Sequence, residues 1–297
     1  MKRLLVIVGP TAVGKTAVAV SIAEKFHTEI ISADSRQFFR ELNVGTAKPS
    51  TQELSRATHH FINSKSIHDT YDAGQFGREA LDLIHKLFKK YDTAVMVGGS
   101  GLYIQAVLEG FDDLPRINNG IRKKIQLAYE TNGIEWLQEE VKKTDPDFFL
   151  SVDQKNPQRL MRALELLQTT GRPMKELRVK KKSAHPFSIV KVGLNIARER
   201  LYERIDSRMD AMITSGLFEE ARQLYPFKNT NALQTVGYSE IFDHLDGLHD
   251  YSETIRLLKR NSRRYAKRQL TWFLRDKEIT WFDSAAELIA WVSERIK

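Results

Sequence analysis

The chain has 297 residues, with 46 Lys and Arg against 38 Asp and Glu, and a formal net charge of +8. It contains no cysteine, which excludes disulfides, thiolate metal sites and a cysteine nucleophile and fits a reducing cytoplasm. A hydrophobic share of 41% with 28% charged residues fits a soluble globular protein of about two domains, and the basic balance leans towards a polyanionic partner without naming one. The basic start Met1-Lys2-Arg3 precedes an apolar run too short for a signal peptide. No stretch reaches the roughly 18 apolar residues of a membrane helix, so a cytoplasmic protein is expected.

The first predicted element is the strand RLLVIV (3–8), which flows into GPTAVGKT (9–16) and then the helical TAVAVSIAEKF. Gly9, Gly14, Lys15 and Thr16 satisfy the phosphate-loop pattern in the strand–loop–helix context that it requires. Glycines let backbone N–H groups converge on an anion, the helix N-terminus adds its dipole, Lys15 supplies a point charge and Thr16 offers a hydroxyl to Mg²⁺. On its own the loop suits ATP. The second strand, EIISA (29–33), ends in Asp34-Ser35 and is expected to lie beside the first. Ligands of open α/β sheets sit at that edge, so Asp34 reads as a metal ligand or general base. It reads equally as a carboxylate capping the next helix, with SRQFF as its first turn, and spacing leaves both readings open. The third strand, TAVMV (93–97), runs into Gly98-Gly99-Ser100-Gly101 and lacks the acid with which phosphate-loop hydrolases hold metal and poise water.

After LEGFDDLP the strand rhythm stops. Residues from about 116 to 182 read as the helices IRKKIQLAYE (121–130), IEWLQEEV (134–141) and PQRLMRALELL (157–167), ending in a basic stretch with Lys180, Lys181 and Lys182. Strand periodicity returns in SIVKVGLNI (188–196) and EITWF (278–282). The expected architecture is therefore α/β: a mainly parallel, phosphate-loop NTPase-like sheet flanked by helices, from 1–113 and 186–297, with an all-helical insertion at 114–185. Between the last two strands, Arg200, Arg204 and Arg208 recur at steps of four beside Leu201, Ile205 and Met209. Further on, Arg256, Lys259, Arg260, Arg263, Arg264, Lys267 and Arg268 share one helical face, which Arg275 extends. A stripe of one sign repels itself, and this points to a polyanion such as a nucleic-acid backbone. Ile255, Leu258, Tyr265 and Phe273 form the stripe expected to face the core. The adjacent His59 and His60 have poor geometry for one metal and are expected to serve packing.

Read together, GPTAVGKT, ISADSRQ, NVGTAKP, VGGSGLY, NPQRLMRALE, VGYSEI and KRQLTWF make the chain resemble the bacterial tRNA dimethylallyltransferases, from its first strand to its C-terminal region. The resemblance implies transfer of a dimethylallyl group from dimethylallyl diphosphate to the exocyclic amine of the adenosine beside the tRNA anticodon, with loss of pyrophosphate, by a monomer using Mg²⁺. It assigns Asp34 as the base, Thr11 as donor to the bridging oxygen, and Lys15 and Arg208 to the diphosphate. The loop Gly9, Pro10, Thr11, Ala12, Val13, Gly14, Lys15 and Thr16 would then grip the diphosphate, Thr16 also taking the metal. By the same resemblance Asp34, Ser35, Arg36, Gln37, Ser100, Lys123 and the run Gln158, Arg159, Leu160, Met161 and Arg162 approach the tRNA. Arg263, Arg264 and Lys267 of the basic stripe join them. Ser100 stands where Thr is expected, and Phe38-Phe39 replaces Val-Tyr. A nucleoside or small-metabolite kinase shares the loop, the acid and the arginine helix, but leaves the basic stripe unused.

Overall fold

The computed structural model describes residues 1–111, 114, 115, 117–177 and 184–296; the predicted Lys180–Lys182 hinge lies outside them. They form two compact units, residues 1–108 with 184–297, and residues 109–183. The first unit begins β1 (Arg3–Val8), α1 (Lys15–Lys25), β2 (Ile30–Ser32), α2 (Thr51–Arg56), β3 (His59–His60), α3 (Ala73–Leu87), β4 (Thr93–Gly98) and α4 (Gly101–Leu108). The second unit is helical: α5 (Asn119–Thr144), α6 (Pro146–Ser151), α7 (Pro157–Thr170) and α8 (Met174–Leu177). The first unit then resumes with β5 (Ser188–Leu194), α9 (Arg198–Thr214), α10 (Leu217–Leu224), α11 (Ser239–Leu245), α12 (Tyr251–Phe273), β6 (Thr280–Phe282) and α13 (Ala285–Arg295). No helix among the described residues is long and apolar enough to cross a membrane.

The six strands are all parallel, in the order β3-β2-β4-β1-β5-β6. Near-continuous burial along β1 and β4 follows from helices on both faces, which is why these strands read as Val- and Ile-rich runs rather than alternating ones. Two points depart from expectation. The strand β3 has only two residues, too few to leave a periodic signal. In addition, β2 does not lie beside β1: β4 sits between them, pairing Val95 with both Leu5 and Ile30. The longer, fully buried β4 takes the sheet centre, and short β2 is left with the two-residue β3 on its other side.

Asp34 still comes close to the phosphate loop, because β4 ends in glycines. A Cβ on Gly98 would sit 2.2 Å from the Ala33 carbonyl oxygen, and one on Gly99 would sit 2.2 Å from the Gln269 amide nitrogen. The pair that stands where a hydrolase carries its acid thus clears the space between β2 and β1.

In the helical unit, the two predicted segments at 121–130 and 134–141 form the single span α5, broken at Gly133 with φ 75 and ψ −172. Only glycine adopts that conformation readily, so the break is written in the sequence. Asn156 accepts from the Arg159 amide as the N-cap of α7, Pro157 fills its first turn, and Gly171 ends it in the left-handed region. Leu137, Val141, Leu160 and Leu166 are the fully buried centre of this unit's core.

Candidate functional site

The loop after β1 passes through Gly14 at φ 103, which serves as an uncapped N-cap for α1. No side chain occupies the helix N-terminus, so its amides face the cleft, ready for an anion. The Lys15 ammonium donates to the Pro10 carbonyl at 2.6 Å. Desolvation in the cleft lowers its pKa to about 7; the Asp34 carboxylate opposes that shift and Arg208 adds to it. A lysine held with a partly withheld charge gains from a bound polyanion.

Around this loop lies a cleft of about 650 Å³ bordered by Thr11, Lys15, Thr16, Asp34, Gln37 and Lys48, with Arg204 and Arg208 from α9. It adjoins a cavity of about 100 Å³ bounded by Thr11, Asp34 and Arg208 on one side and by Ile205, Met209, Met212, Leu217 and Val236 on the other. Leu217 is fully buried and Met209 nearly so. The space is polar and cationic near the loop; beyond Thr11 and Asp34 the apolar side chains share the lining with Arg36, Thr46, Ser262 and Tyr265.

Asp34 caps a turn, where the sequence suggests the start of a helix. Its Oδ1 accepts from the Arg36 amide at 2.9 Å and from the Gln37 amide at 3.3 Å, which makes it the cap of the 35–38 turn. Asp34 also borders both the cleft and the cavity. The Ser100 hydroxyl accepts from the Ser35 amide at 2.9 Å, fixing the residue next to Asp34. Burial and the Asp34 carboxylate push the Tyr265 phenol up to about 12, so its hydroxyl stays protonated.

Of the three arginines at steps of four on α9, Arg204 donates to the Val13 carbonyl at 3.3 Å. Arg208 reaches into both spaces; burial lowers its pKa and the Asp34 charge opposes this. Glu220 accepts from three consecutive amides, Asn43, Val44 and Gly45, at 2.9 to 3.0 Å, and from the Tyr238 hydroxyl at 2.6 Å. That carboxylate joins NVGTAKP to VGYSEI and sets Gly45, Thr46, Val236 and Gly237 in the cavity wall. By residue type these segments read as turns; the structure makes them walls.

His60 pairs with Glu29 at 2.6 Å. His59 meets the Ala57 carbonyl at 2.8 Å and borders the cleft, so one histidine serves packing and the other also faces the site. Phe38 and Phe39 are buried, Phe38 stacking edge-on with Tyr71 at 4.9 Å, so the second ring serves the core without a hydroxyl.

The basic stripe is not one uninterrupted face. Arg256 pairs with Glu253, Lys259 with Asp210 and Arg263 with Asp206, all at 2.6 Å. Asp206 and Asp210 belong to α9, so the first half of the stripe docks α12 on α9. Arg264, Lys267, Arg268 and Arg275 make no ion pair among the described residues and border a groove of about 390 Å³ with Trp272. The inward face of α12 carries three polar residues that an apolar stripe does not reveal, Thr254, Ser262 and Gln269. In the helical unit, Arg162 and Arg122 both pair with Glu165. Arg159 is exposed, whereas Leu160 is fully buried and serves that unit's core.

Comparison with known proteins gives this arrangement its family. The IPP transferase family model matches residues 37–276. The chain belongs to the IPP transferase family. A tRNA dimethylallyltransferase of Cytophaga hutchinsonii is 50% identical over 281 residues, which is 95% of this chain and 92% of that one. The tRNA isopentenylpyrophosphate transferase of Bacillus halodurans is 35% identical with a TM-score of 0.73, covering 99% of this chain and 96% of that structure. A eukaryotic dimethylallyltransferase captured acting on tRNA is 25% identical with a TM-score of 0.75, covering 100% and 77%. Among IPP transferases, then, this chain keeps the six-stranded parallel sheet, and its phosphate loop opens onto a partly apolar recess.

Proposed function

We propose that this chain transfers a dimethylallyl group from dimethylallyl diphosphate to the N6 amine of the adenosine 3′-adjacent to the tRNA anticodon, position 37, and releases pyrophosphate. The observation that carries this reading is the meeting of an anion-gripping loop and a partly apolar recess at Thr11, Asp34 and Arg208. The cavity of about 100 Å³ opens into the larger cleft, so a branched five-carbon chain would sit with its methyl end against Met209, Met212 and Leu217 and its first carbon at the boundary. Burying five carbons contributes about 4 kcal/mol.

The adenine amine is a poor nucleophile, because its lone pair is delocalised into the ring. As it attacks the allylic carbon, the carbon–oxygen bond to the diphosphate breaks and the amine proton passes to Asp34 Oδ2. The amides on Oδ1 hold the carboxylate in place during this transfer. The Thr11 hydroxyl donates to the departing bridging oxygen, while Lys15, Arg208 and the free amides of Gly14 to Thr16 balance the charge on pyrophosphate. Mg²⁺ suits this site, since it binds phosphate oxygens and water with few protein ligands, here Thr16, and it would supply further charge neutralisation.

The target base must leave its stack, at a cost of a few kcal/mol. Contacts to the tRNA from Arg264, Lys267 and Arg268, from Ser35, Arg36, Gln37 and Ser100, and separately from Lys123, Gln158, Arg159 and Arg162 of the helical unit would offset it. The protein is proposed to act as a cytoplasmic monomer. The test is incubation of the purified chain with Mg²⁺, unmodified tRNA and labelled dimethylallyl diphosphate. Label in the tRNA is expected; its absence, with the donor shown to bind, overturns the reading.

A further inference from the structure

One side chain in the wall of the cleft joins two loops of the site. Gln269, on the inward face of α12, is 6% exposed. Its carbonyl oxygen accepts from the Thr11 amide at 2.8 Å, and its amide nitrogen donates to the Gly99 carbonyl at 3.0 Å. Both ends of the amide are thus engaged, on two loops that follow different strands. The phosphate loop carries Thr11. The loop after β4 carries Ser100, whose hydroxyl holds the Ser35 amide beside Asp34. Gly99 makes room for this bridge, because a Cβ there would sit 2.2 Å from the glutamine amide nitrogen.

We infer that Gln269 is a positioning residue, which fixes the spacing between the leaving-group donor Thr11 and the proton acceptor Asp34. The inference rests on the transfer reaction proposed above. In the free chain the Thr11 backbone is tied to α12 rather than left for phosphate, so its side chain keeps its place at the boundary of cleft and recess whether or not the donor is bound. A buried amide with both ends bonded holds such a spacing more rigidly than apolar packing, because either bond is lost if the loops part. A misplacement of about 1 Å at a reacting centre costs about 100-fold in rate.

The test is a double-mutant cycle in the full chain with Gln269→Met and Thr11→Val, measuring kcat, both KM values and the melting temperature. Gln269→Met is expected to lower kcat about 30-fold in the wild-type background, with each KM within about threefold. In the Thr11→Val background the same change should cost less than about threefold, because the hydroxyl being positioned is already gone. Equal losses in both backgrounds, or a KM effect with kcat intact, overturn the inference, since a general loss of stability would act alike in both. If Gln269→Met does not fold, Gln269→Glu replaces it: the acceptor for Thr11 stays and the donor to Gly99 is lost. A kcat loss of at least about tenfold is then expected, and an unchanged kcat overturns the inference. Hydrogen exchange at the Thr11 amide gives a readout independent of turnover. Protection in the wild type that disappears in Gln269→Met is expected, and identical exchange in the two overturns the inference even if the transfer reaction itself is not observed.

Discussion

Replacing Asp34 by asparagine separates the two roles that its carboxylate combines. Oδ1 accepts from the Arg36 and Gln37 amides at 2.9 and 3.3 Å, and the asparagine carbonyl can keep both bonds. The position of Oδ2 becomes an NH₂ group, which cannot take a proton. General-base assistance contributes about 10²- to 10⁴-fold, so kcat should fall by that factor, about 2.7–5.4 kcal/mol of transition-state stabilisation. Asp34→Ala removes the cap as well and should cost about 1 kcal/mol of stability in addition. Neutralising Asp34 also removes the charge that opposes desolvation of Lys15, so the Lys15 pKa should drop below its present value of about 7. The comparison therefore belongs on the acid side of that value, at about pH 6, where the ammonium is largely retained. Single-turnover transfer of labelled donor to tRNA measures the chemical step apart from product release. A rate for Asp34→Asn within about threefold of wild type would make Asp34 a turn cap only and refute the reasoning.

Lys15 makes binding and stability pH-dependent. Its folded pKa of about 7 lies below the ordinary 10.5, so the unfolded chain binds more protons across that window and stability of the free protein rises with pH through it. Lys15→Met should flatten that rise in denaturant titrations, and calorimetry in two buffers should show it taking up about one proton fewer than wild type on binding pyrophosphate near pH 8. On the basic face, Arg264→Ala and Arg268→Ala should each reduce the slope of log affinity for tRNA against log salt by about 0.9, whereas Arg256→Ala, already paired with Glu253, should leave it unchanged. Leu217→Ala should cost about 2–5 kcal/mol in stability and enlarge the recess, so that competition assays detect binding of a longer prenyl diphosphate that the wild type rejects.

What the sequence made legible was local. Gly9, Gly14, Lys15 and Thr16 announce a phosphate loop because glycine conformation and helix-terminal amides act within eight residues. Asp34 was legible as a carboxylate at a strand end, and the strands β1 and β4 as apolar runs. Strand order was not, because the placement of β4 between β1 and β2 is a choice among pairings distant in sequence. The contacts of Gln269, which lies in the motif KRQLTWF, and of Glu220 were invisible for a related reason. A glutamine or glutamate in an amphipathic helix reads as solvent-facing, and only the fold brings Gln269 to Thr11 across 258 residues and Glu220 to Val44 across 176. The basic stripe was half legible: its cations lie as the spacing requires, but Asp206 and Asp210, which neutralise part of it, come from another helix.

The central claim is that the loop grips a leaving pyrophosphate while carbon, not a phosphoryl group, is transferred. The most direct measurement is the product balance of one reaction containing the protein, Mg²⁺, unmodified tRNA, labelled dimethylallyl diphosphate and ATP, with nucleosides analysed by mass spectrometry and phosphate products by chromatography. The account predicts one pyrophosphate for each N6-dimethylallyl adenosine, at the same rate without ATP. Formation of ADP with a phosphorylated acceptor, and tRNA left unmodified, would contradict it.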